Sequence, residues 1–395
     1  GEDGHNRFPK TCKENTGAST VISPRLEINL DKIYHNASTL VRQMSLLGIS
    51  VTGITKAVLG SSQVANVMIR AGVASLGDSR IENIDAMRCA GINCPILLTR
   101  SPMLSQVDQV VRLVDISLNT EISVLRALSL AATKIGRIHG IVLMVEMGDL
   151  REGLMFDEVE EVLKETLGLP NIIFKGLGTN LACQNGVIPD DNNMTKLSVL
   201  ADSLESKFGL QIDTVTGGNS ANLSWISSGG KVGRIDNIRL GESILLGRDP
   251  LDRKPIEGLY TDAFEVVAEV IESKFKPSQP WGSIAQPAYG EVPKNAGPGP
   301  TSHTILAIGR QDIDPNGLTP TSKIEIIGGS GDHLVVNGKG YKFEIGSEIR
   351  FIPNYSSLLR AMTSPFVSKV MKEPSFKKSV LPFQQGNFRA APFNH

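Results

Sequence analysis

Long apolar runs are missing from this sequence, and none reaches the length a membrane-spanning helix needs. Cysteine is scarce: Cys12, Cys89, Cys94 and Cys183 are scattered and match no zinc-binding spacing. That pattern excludes a disulfide framework and points to a reducing compartment. Neither sign of charge dominates, with 40 Lys and Arg against 41 Asp and Glu. The two signs are interspersed, which excludes a basic face for nucleic acid and a charged tail. The first twenty residues, GEDGHNRFPKTCKENTGAST, have no apolar core of a secretory signal. The expectation is a soluble, cytoplasmic protein.

What is present is a repeated beat. A chain of 395 residues suggests two domains and allows a large core. Apolar, β-rich runs recur as SVTGITK (50–56), VASLGDS (73–79), PILLTR (95–100), VDISLNT (114–120), HGIVLMVEM (139–147), IIFKGLGTN (172–180), DTVTGGNS (213–220) and NIRLGES (237–243). Segments such as SSQVANVMIRAG and EISVLRALSLAATK lie between them with helical periodicity. Near-continuous apolar strands with helical crossovers predict a covered parallel sheet. Eight of them match a (β/α)8 TIM barrel; a doubly wound open sheet is the alternative, though it would not require eight. Near residue 250 the beat stops. FEVVAEVIES, HTILAIGRQDI, KIEIIGGSG, HLVVN and SEIRFIP then read as an antiparallel β domain, interrupted by a Pro/Gly-rich loop at 276–302. The predicted organisation is a polar extension (1–22), a barrel (23–255), a C-terminal β domain (256–372) and a tail (373–395).

Catalytic residues of a barrel come from the C-terminal strand ends. Those positions hold Lys56, Asp78 with Arg80, Arg100, Asn119, Arg151, Asn180, Ser220 and Arg239. Each alone suits a structural place on the rim; their convergence on one face favours a site. The loops after strands seven and eight, GGNSAN (217–222) and RLGES (239–243), are where barrels hold phosphate, and their small residues let backbone N–H groups approach an anion. Lys56 closes the first strand opposite those loops. In a partly desolvated, cationic pocket such an amine becomes a nucleophile toward carbonyls; in the bland alternative its stem packs while its ammonium reaches solvent. Arg239 and Arg151 are candidate partners for a carboxylate or a ring nitrogen, because guanidinium keeps its proton.

RLEINLDKIYHNASTL, GITK, the NSA of GGNSAN and IRLGESILLG together resemble the fold-type III pyridoxal-phosphate enzymes of the alanine racemase superfamily. GITKAVLG, GDSRIEN, GDLREGL, AIGRQD and GGSGDH are similar, more closely, to its ornithine-racemase branch. The resemblance spans residues 25–370 and implies pyridoxal 5'-phosphate (PLP) as cofactor and a head-to-tail homodimer sharing its active sites. It implies that Lys56 is the Schiff-base lysine and one of two racemising bases. Ser220 then binds the phosphate with the backbone amides of Gly241 and Glu242, Arg239 faces the pyridine nitrogen, and Arg151 meets the substrate carboxylate.

Four positions depart from the alanine racemase pattern. Gly60 replaces a phosphate-touching tyrosine, Met144 a carbamylated lysine that supports the carboxylate-binding arginine, and Asn180 the histidine behind the ring-facing arginine. Arg310 replaces the tyrosine that acts as second base. Candidates for that role are Asp332, His333, Asp312, Tyr289 and Tyr355; Asp332 could instead hold a distal substrate ammonium, as could Asp78 or Glu242. The implied activity is racemisation of ornithine or a similar basic amino acid. Alternatives are alanine or broad specificity, a non-catalytic PLP carrier, a decarboxylase or metal-assisted aldolase of the same fold, and an inactive scaffold.

Overall fold

The computed structural model describes residues 22–294 and 297–372. Cys12, the tail and all but the last residue of the expected extension lie outside them. Strand β1 (Arg25–Asn29) leads into helix α1 (Leu30–Ser45). Eight strands then close into one barrel: β2 (Ser50–Ile54), β3 (Ser75–Asp78), β4 (Ile96–Leu98), β5 (Ile116–Asn119), β6 (His139–Met144), β7 (Ile172–Gly178), β8 (Thr214–Thr216) and β9 (Asn237–Leu240). All neighbouring pairs are parallel. The helices alternating with them are α2 (Ser62–Ala71), α3 (Ile81–Cys89), α4 (Val107–Leu113), α5 (Ile122–Lys134), α6 (Val159–Leu167), α7 (Asp191–Phe208) and α8 (Leu223–Ser227), with α9 (Glu242–Leu246) after β9. The eight runs read from sequence are these eight strands.

Helix α1 forms because Asn29 caps it, accepting from Lys32 N at 3.1 Å, and because Ile33, Ala37, Leu40 and Met44 fall on one buried face. Buried Asn36 fastens it to the far end of the barrel. Its Nδ2 donates to Ile244 O and Tyr260 O, and its Oδ1 accepts from Tyr260 N. The barrel interior is divided. Leu97, Ile116, Leu118, Val142 and Met144 make an apolar cluster on one side. Thr52, Ser75, Thr216 and Asn237 supply a polar side, hydrogen-bonded in series.

The second sheet contains β10 (Phe264–Pro277), β11 (Pro300–Leu306), β12 (Leu318–Pro320), β13 (Glu325–Gly329), β14 (Leu334–Asn337) and β15 (Glu348–Pro353), in the order β12-β15-β10-β11-β14-β13. The five pairings in that order are antiparallel. Strand β1, inside the segment expected to be barrel, joins this sheet instead: it pairs antiparallel with β10 and parallel with β16 (Ser368–Lys372). Arg350 stitches the junction, donating to Glu27 at 2.7 Å and to Glu265 at 2.8 Å. Helix α10 (Tyr355–Thr363), unforeseen in the sequence, starts at the Asn354 cap and packs its first turns against residues 56–58 at the barrel rim. Among the described residues no helix is long and apolar enough to cross a membrane.

In β7, a Cβ on Gly176 would stand 1.7 Å from Thr214 O, at the point where the register of β6 and β7 shifts. Gly176→Ala should therefore lower stability by about 3 kcal/mol in urea unfolding. A loss below ~0.5 kcal/mol would contradict this packing.

Candidate active site

Lys56 opens a single 3-10 turn (Lys56–Val58) directly after β2, and Leu59 and Gly60 turn the chain back with φ of 51° and 66°. A Cβ at Gly60 would lie 2.6 Å from Asn83 O, so no side chain fits where the resemblance expects a tyrosine. The turn is braced from below. Thr55 Oγ1, fully buried, donates to Asp78 Oδ2 at 2.8 Å, while Asp78 Oδ1 accepts from Arg80 N and Asn83 Nδ2. Burial pushes the Asp78 carboxyl up, against these donors. Asp78 thus spends its oxygens inside the chain and holds Lys56 in place. Above the turn, Lys56 Nζ lies 5.5 Å from the ring centroid of Tyr355, delivered by α10.

Barrel closure sets the phosphate-type loops beside Lys56, a correction to the opposite placement read from sequence. Strand β9 pairs with β2 through Gly53 and Leu240, and a Cβ on Gly241 would lie 3.1 Å from Cβ of Ile54, two residues before the lysine. Ser220 begins a 3-10 turn capped by Asn219, whose Oδ1 accepts from Ala221 N. Its hydroxyl is 2.7 Å from Ser243 Oγ and accepts from Ser243 N at 3.1 Å. Two hydroxyls, one from each of the loops after β8 and β9, therefore meet at one point. Glu242 opens α9; burial raises its pKa, with Arg253 and Lys56 pulling it down and Asp249 adding to the rise.

Arg239, in β9, is 4% exposed. Its Nη1 donates to Thr216 Oγ1 at 2.5 Å and its Nη2 to Thr179 O at 2.7 Å, while its Nε–H has no partner among the described residues. Burial lowers its pKa to about 10, opposed by Glu152 and Cys183 and assisted by Arg151, so it stays protonated at neutral pH. Among the described residues the side chain of the expected neighbour Asn180 makes no hydrogen bond to it. Asn180 donates to Cys183 Sγ at 3.1 Å and accepts from Asn219 Nδ2 at 2.9 Å.

Arg151 sits on the loop after β6, half exposed, and grips the carboxylate of Glu152 through both Nε and Nη2. Met144, at the position of the family's carbamylated lysine, lies in the apolar barrel interior, so the anion beside Arg151 is Glu152. The loop is held by Asp149, which sequence reading passed over although GDLREGL contains it. Its buried carboxylate accepts from the backbone N–H groups of Cys183, Gln184, Asn185 and Val187, joining the loops after β6 and β7. Burial pushes that carboxyl up, but the four donors outweigh it and hold its pKa below the ordinary 3.8. Arg80 and Arg100 are exposed, and Asn119 is buried with its Nδ2 on Ser117.

Among the described residues, Tyr355 is the group named for the second proton transfer that lies against Lys56. Asp332 and His333 are exposed in the turn between β13 and β14, and neither side chain hydrogen-bonds among the described residues. Arg310 donates to Gly329 O at 2.9 Å and to Glu291, with its guanidinium 5.2 Å from the ring centre of Tyr289. Asp312 is buried, accepting from Ser364 Oγ at 2.7 Å. Arg310, Tyr289 and Asp312 thus hold the β domain's own loops together.

The profile of the alanine racemase N-terminal domain matches residues 28–249, the span that carries Lys56, the two-hydroxyl cup and Arg239. The chain belongs to the alanine racemase family. Within it, the ornithine racemase of Acetoanaerobium sticklandii is 35% identical over 350 residues, covering 88% of this chain and 99% of that protein. The lysine racemase of Thermotoga maritima is 37% identical over 357 residues, covering 90% and 100%. Among solved structures, an alanine racemase from Streptomyces lavendulae superposes with a TM-score of 0.68 at 17% identity over 89% of this chain and 97% of its own. A D-threonine aldolase from Filomicrobium marinum reaches the same score at 15% identity, covering 87% and 89%. The architecture is therefore shared by racemases and an aldolase, and it does not by itself choose between them.

Because the Asp149 pKa is depressed on folding, its stabilisation is complete above the unfolded value of 3.8 and is lost as pH falls through the folded value. Asp149→Asn should cost about 2 kcal/mol, a constant difference from wild type between pH 5 and 8 that shrinks below pH 4, measured by urea unfolding across pH. A difference unchanged down to pH 2 would contradict the ionised brace.

Proposed function

We propose that this protein is a PLP-dependent racemase of a basic amino acid, ornithine or lysine. The observation that carries the reading is the pairing of Lys56 with the Ser220–Ser243 cup, with the uncommitted Nε–H of Arg239 on the same barrel end. An amine, an oxyanion cup and a donor-only group suit the aldehyde, phosphate and ring nitrogen of PLP. Ser220, the Gly241 and Glu242 amides and Arg239 would hold the cofactor, with Asn180 supporting the cup through Asn219. When bound, PLP supplies the electron sink that makes removal of an α-proton feasible. The preference for a basic substrate rests on the names of the two long relatives, a racemase of ornithine and one of lysine.

Lys56 Nζ takes the α-proton on its own face and returns it there in the reverse direction. Arg151 steadies the substrate carboxylate, with Glu152 orienting its guanidinium. Arg239, unable to accept a proton, opposes protonation of the ring nitrogen and so limits transamination. Tyr355 packs over the lysine amine and restricts solvent there. The second proton carrier comes from a neighbouring copy: in a head-to-tail homodimer, the exposed Asp332–His333 turn of one chain completes the barrel mouth of the other, with Asp332 also placed to receive a side-chain ammonium. The free thiols of Cys89, Cys94 and Cys183 fit a reducing, cytoplasmic setting.

Purified protein with PLP and single L-amino acids should form the D-enantiomer of ornithine or lysine faster than of alanine, followed by chiral chromatography. Lys56→Ala should reduce this about 10³-fold. Racemisation surviving in that variant would sink the assignment. Asp332→Ala/His333→Ala should retain α-deuterium exchange while losing inversion, and mixing it with Lys56→Ala chains should restore activity through hybrid dimers. No recovery on mixing would contradict the shared site.

A further inference from the structure

The arginine assigned to the ring nitrogen is held by an unexpected group. The resemblance puts its support at position 180, but Asn180 spends both ends of its amide on Cys183 and Asn219. Arg239 instead reaches down into the barrel. Its Nη1 donates to Thr216 Oγ1 at 2.5 Å, and only a longer contact of 3.3 Å joins the same nitrogen to Thr216 O.

Behind Thr216 the hydrogen bonds run on without a break. Thr216 Oγ1 donates to Asn237 Oδ1 at 2.8 Å. Asn237 Nδ2 donates to Thr52 Oγ1 and to Ser50 Oγ, each at 3.0 Å. Thr52 Oγ1 is 2.8 Å from Ser75 Oγ. Thr52, Ser75, Thr216 and Asn237 are all at least nine-tenths buried. The direction of the series is imposed at one end. A guanidinium has five donors and no acceptor, so Thr216 must accept from it and send its single proton to Asn237. That orients the Asn237 amide, which in turn makes Thr52 an acceptor and frees the Thr52 proton for Ser75. Four strands, β8, β9, β2 and β3, thereby fix the position of one hydroxyl.

We propose that Thr216 is the positioning residue for Arg239, with Asn237, Thr52 and Ser75 as its support inside the barrel. The two short contacts, Thr179 O at Nη2 and Thr216 Oγ1 at Nη1, set the guanidinium plane; with the hydroxyl gone, Nη1 keeps only the 3.3 Å contact to Thr216 O, and the Nε–H loses its aim. The inference rests on the reading of Arg239 as the ring-nitrogen partner and adds which residue aims it.

The test compares wild type with Thr216→Val, Thr216→Ala, Thr216→Ser and Arg239→Gln, each loaded with PLP. Thr216→Val should bind PLP but shift its visible absorption band toward that of Arg239→Gln. It should also lose that band faster during turnover, through abortive transamination. Its kcat should fall about 10- to 100-fold with little change in KM, as expected for a misaimed group. Thr216→Ser should restore the wild-type band and rate, which a purely structural defect of the barrel would not predict. Thr216→Ala, without the added methyl, serves if the valine variant does not fold. A wild-type band and kcat in Thr216→Val or Thr216→Ala, with Arg239→Gln altered, would overturn the positioning role alone. A wild-type band and transamination rate in Arg239→Gln would overturn the reading beneath it as well.

Discussion

The hydrogen bonds that close β9 onto β2 are the constraint on which the site depends. Their register, Ser50 with Asn237 through Gly53 with Leu240, makes the last strand of the barrel the neighbour of the first. Lys56 and Gly241 follow the ends of those two strands, and Arg239 stands on β9, just before Gly241. In a β-strand a slip of one residue turns every side chain to the opposite face. Such a slip would turn Arg239 away from Thr216 and Asn237 away from Thr52. Closure of the barrel and assembly of the cofactor-type cup are thus one event.

Carboxylates on the rim divide by how their oxygens are used. Asp78 and Asp149 are buried and surrounded by donors from their own chain, and each holds a loop in place: the Lys56 turn in one case, the paired loops after β6 and β7 in the other. A buried carboxylate is tolerable when its hydrogen bonds are complete, and these are. Glu152 and Glu242 differ. Among the described residues Glu152 hydrogen-bonds through its side chain to Arg151 and acts on Arg239 through charge, and Glu242 feels Lys56 through charge. Groups with unspent capacity are the ones able to respond to a ligand.

The departures from the alanine racemase pattern acquire physical reasons. At Gly60 the backbone is left-handed and pressed against Asn83, which leaves no room for a phenol. At Met144 the interior is apolar, and the counter-charge for Arg151 comes from the next residue along the chain. At Arg310 the side chain clamps a hairpin to the long loop, a task for a fixed fork of donors and not for a base. The β domain still reaches the barrel through α10, which lays Tyr355 over Lys56.

The eight barrel strands were legible from sequence because both faces of each are buried, which leaves unbroken apolar runs. Lys56, Ser220 and Arg239 were legible because they interrupt or end such runs with polar groups. Strand β1 was not: RLEIN reads like any other short strand, and only its pairing with β10 and β16 assigns it to the second sheet. Thr216, Ser243 and Asp149 were equally silent, since a threonine in a strand, a serine in a helix and an aspartate in a turn are ordinary residues there. Local periodicity determined the architecture, because burial on two faces writes itself into consecutive residues. Which groups touch Arg239 and Lys56 was decided only by tertiary structure, because those contacts join separate strands of the barrel and, at Tyr355, the second domain, and hydrogen-bond direction is set by partners that no local pattern records.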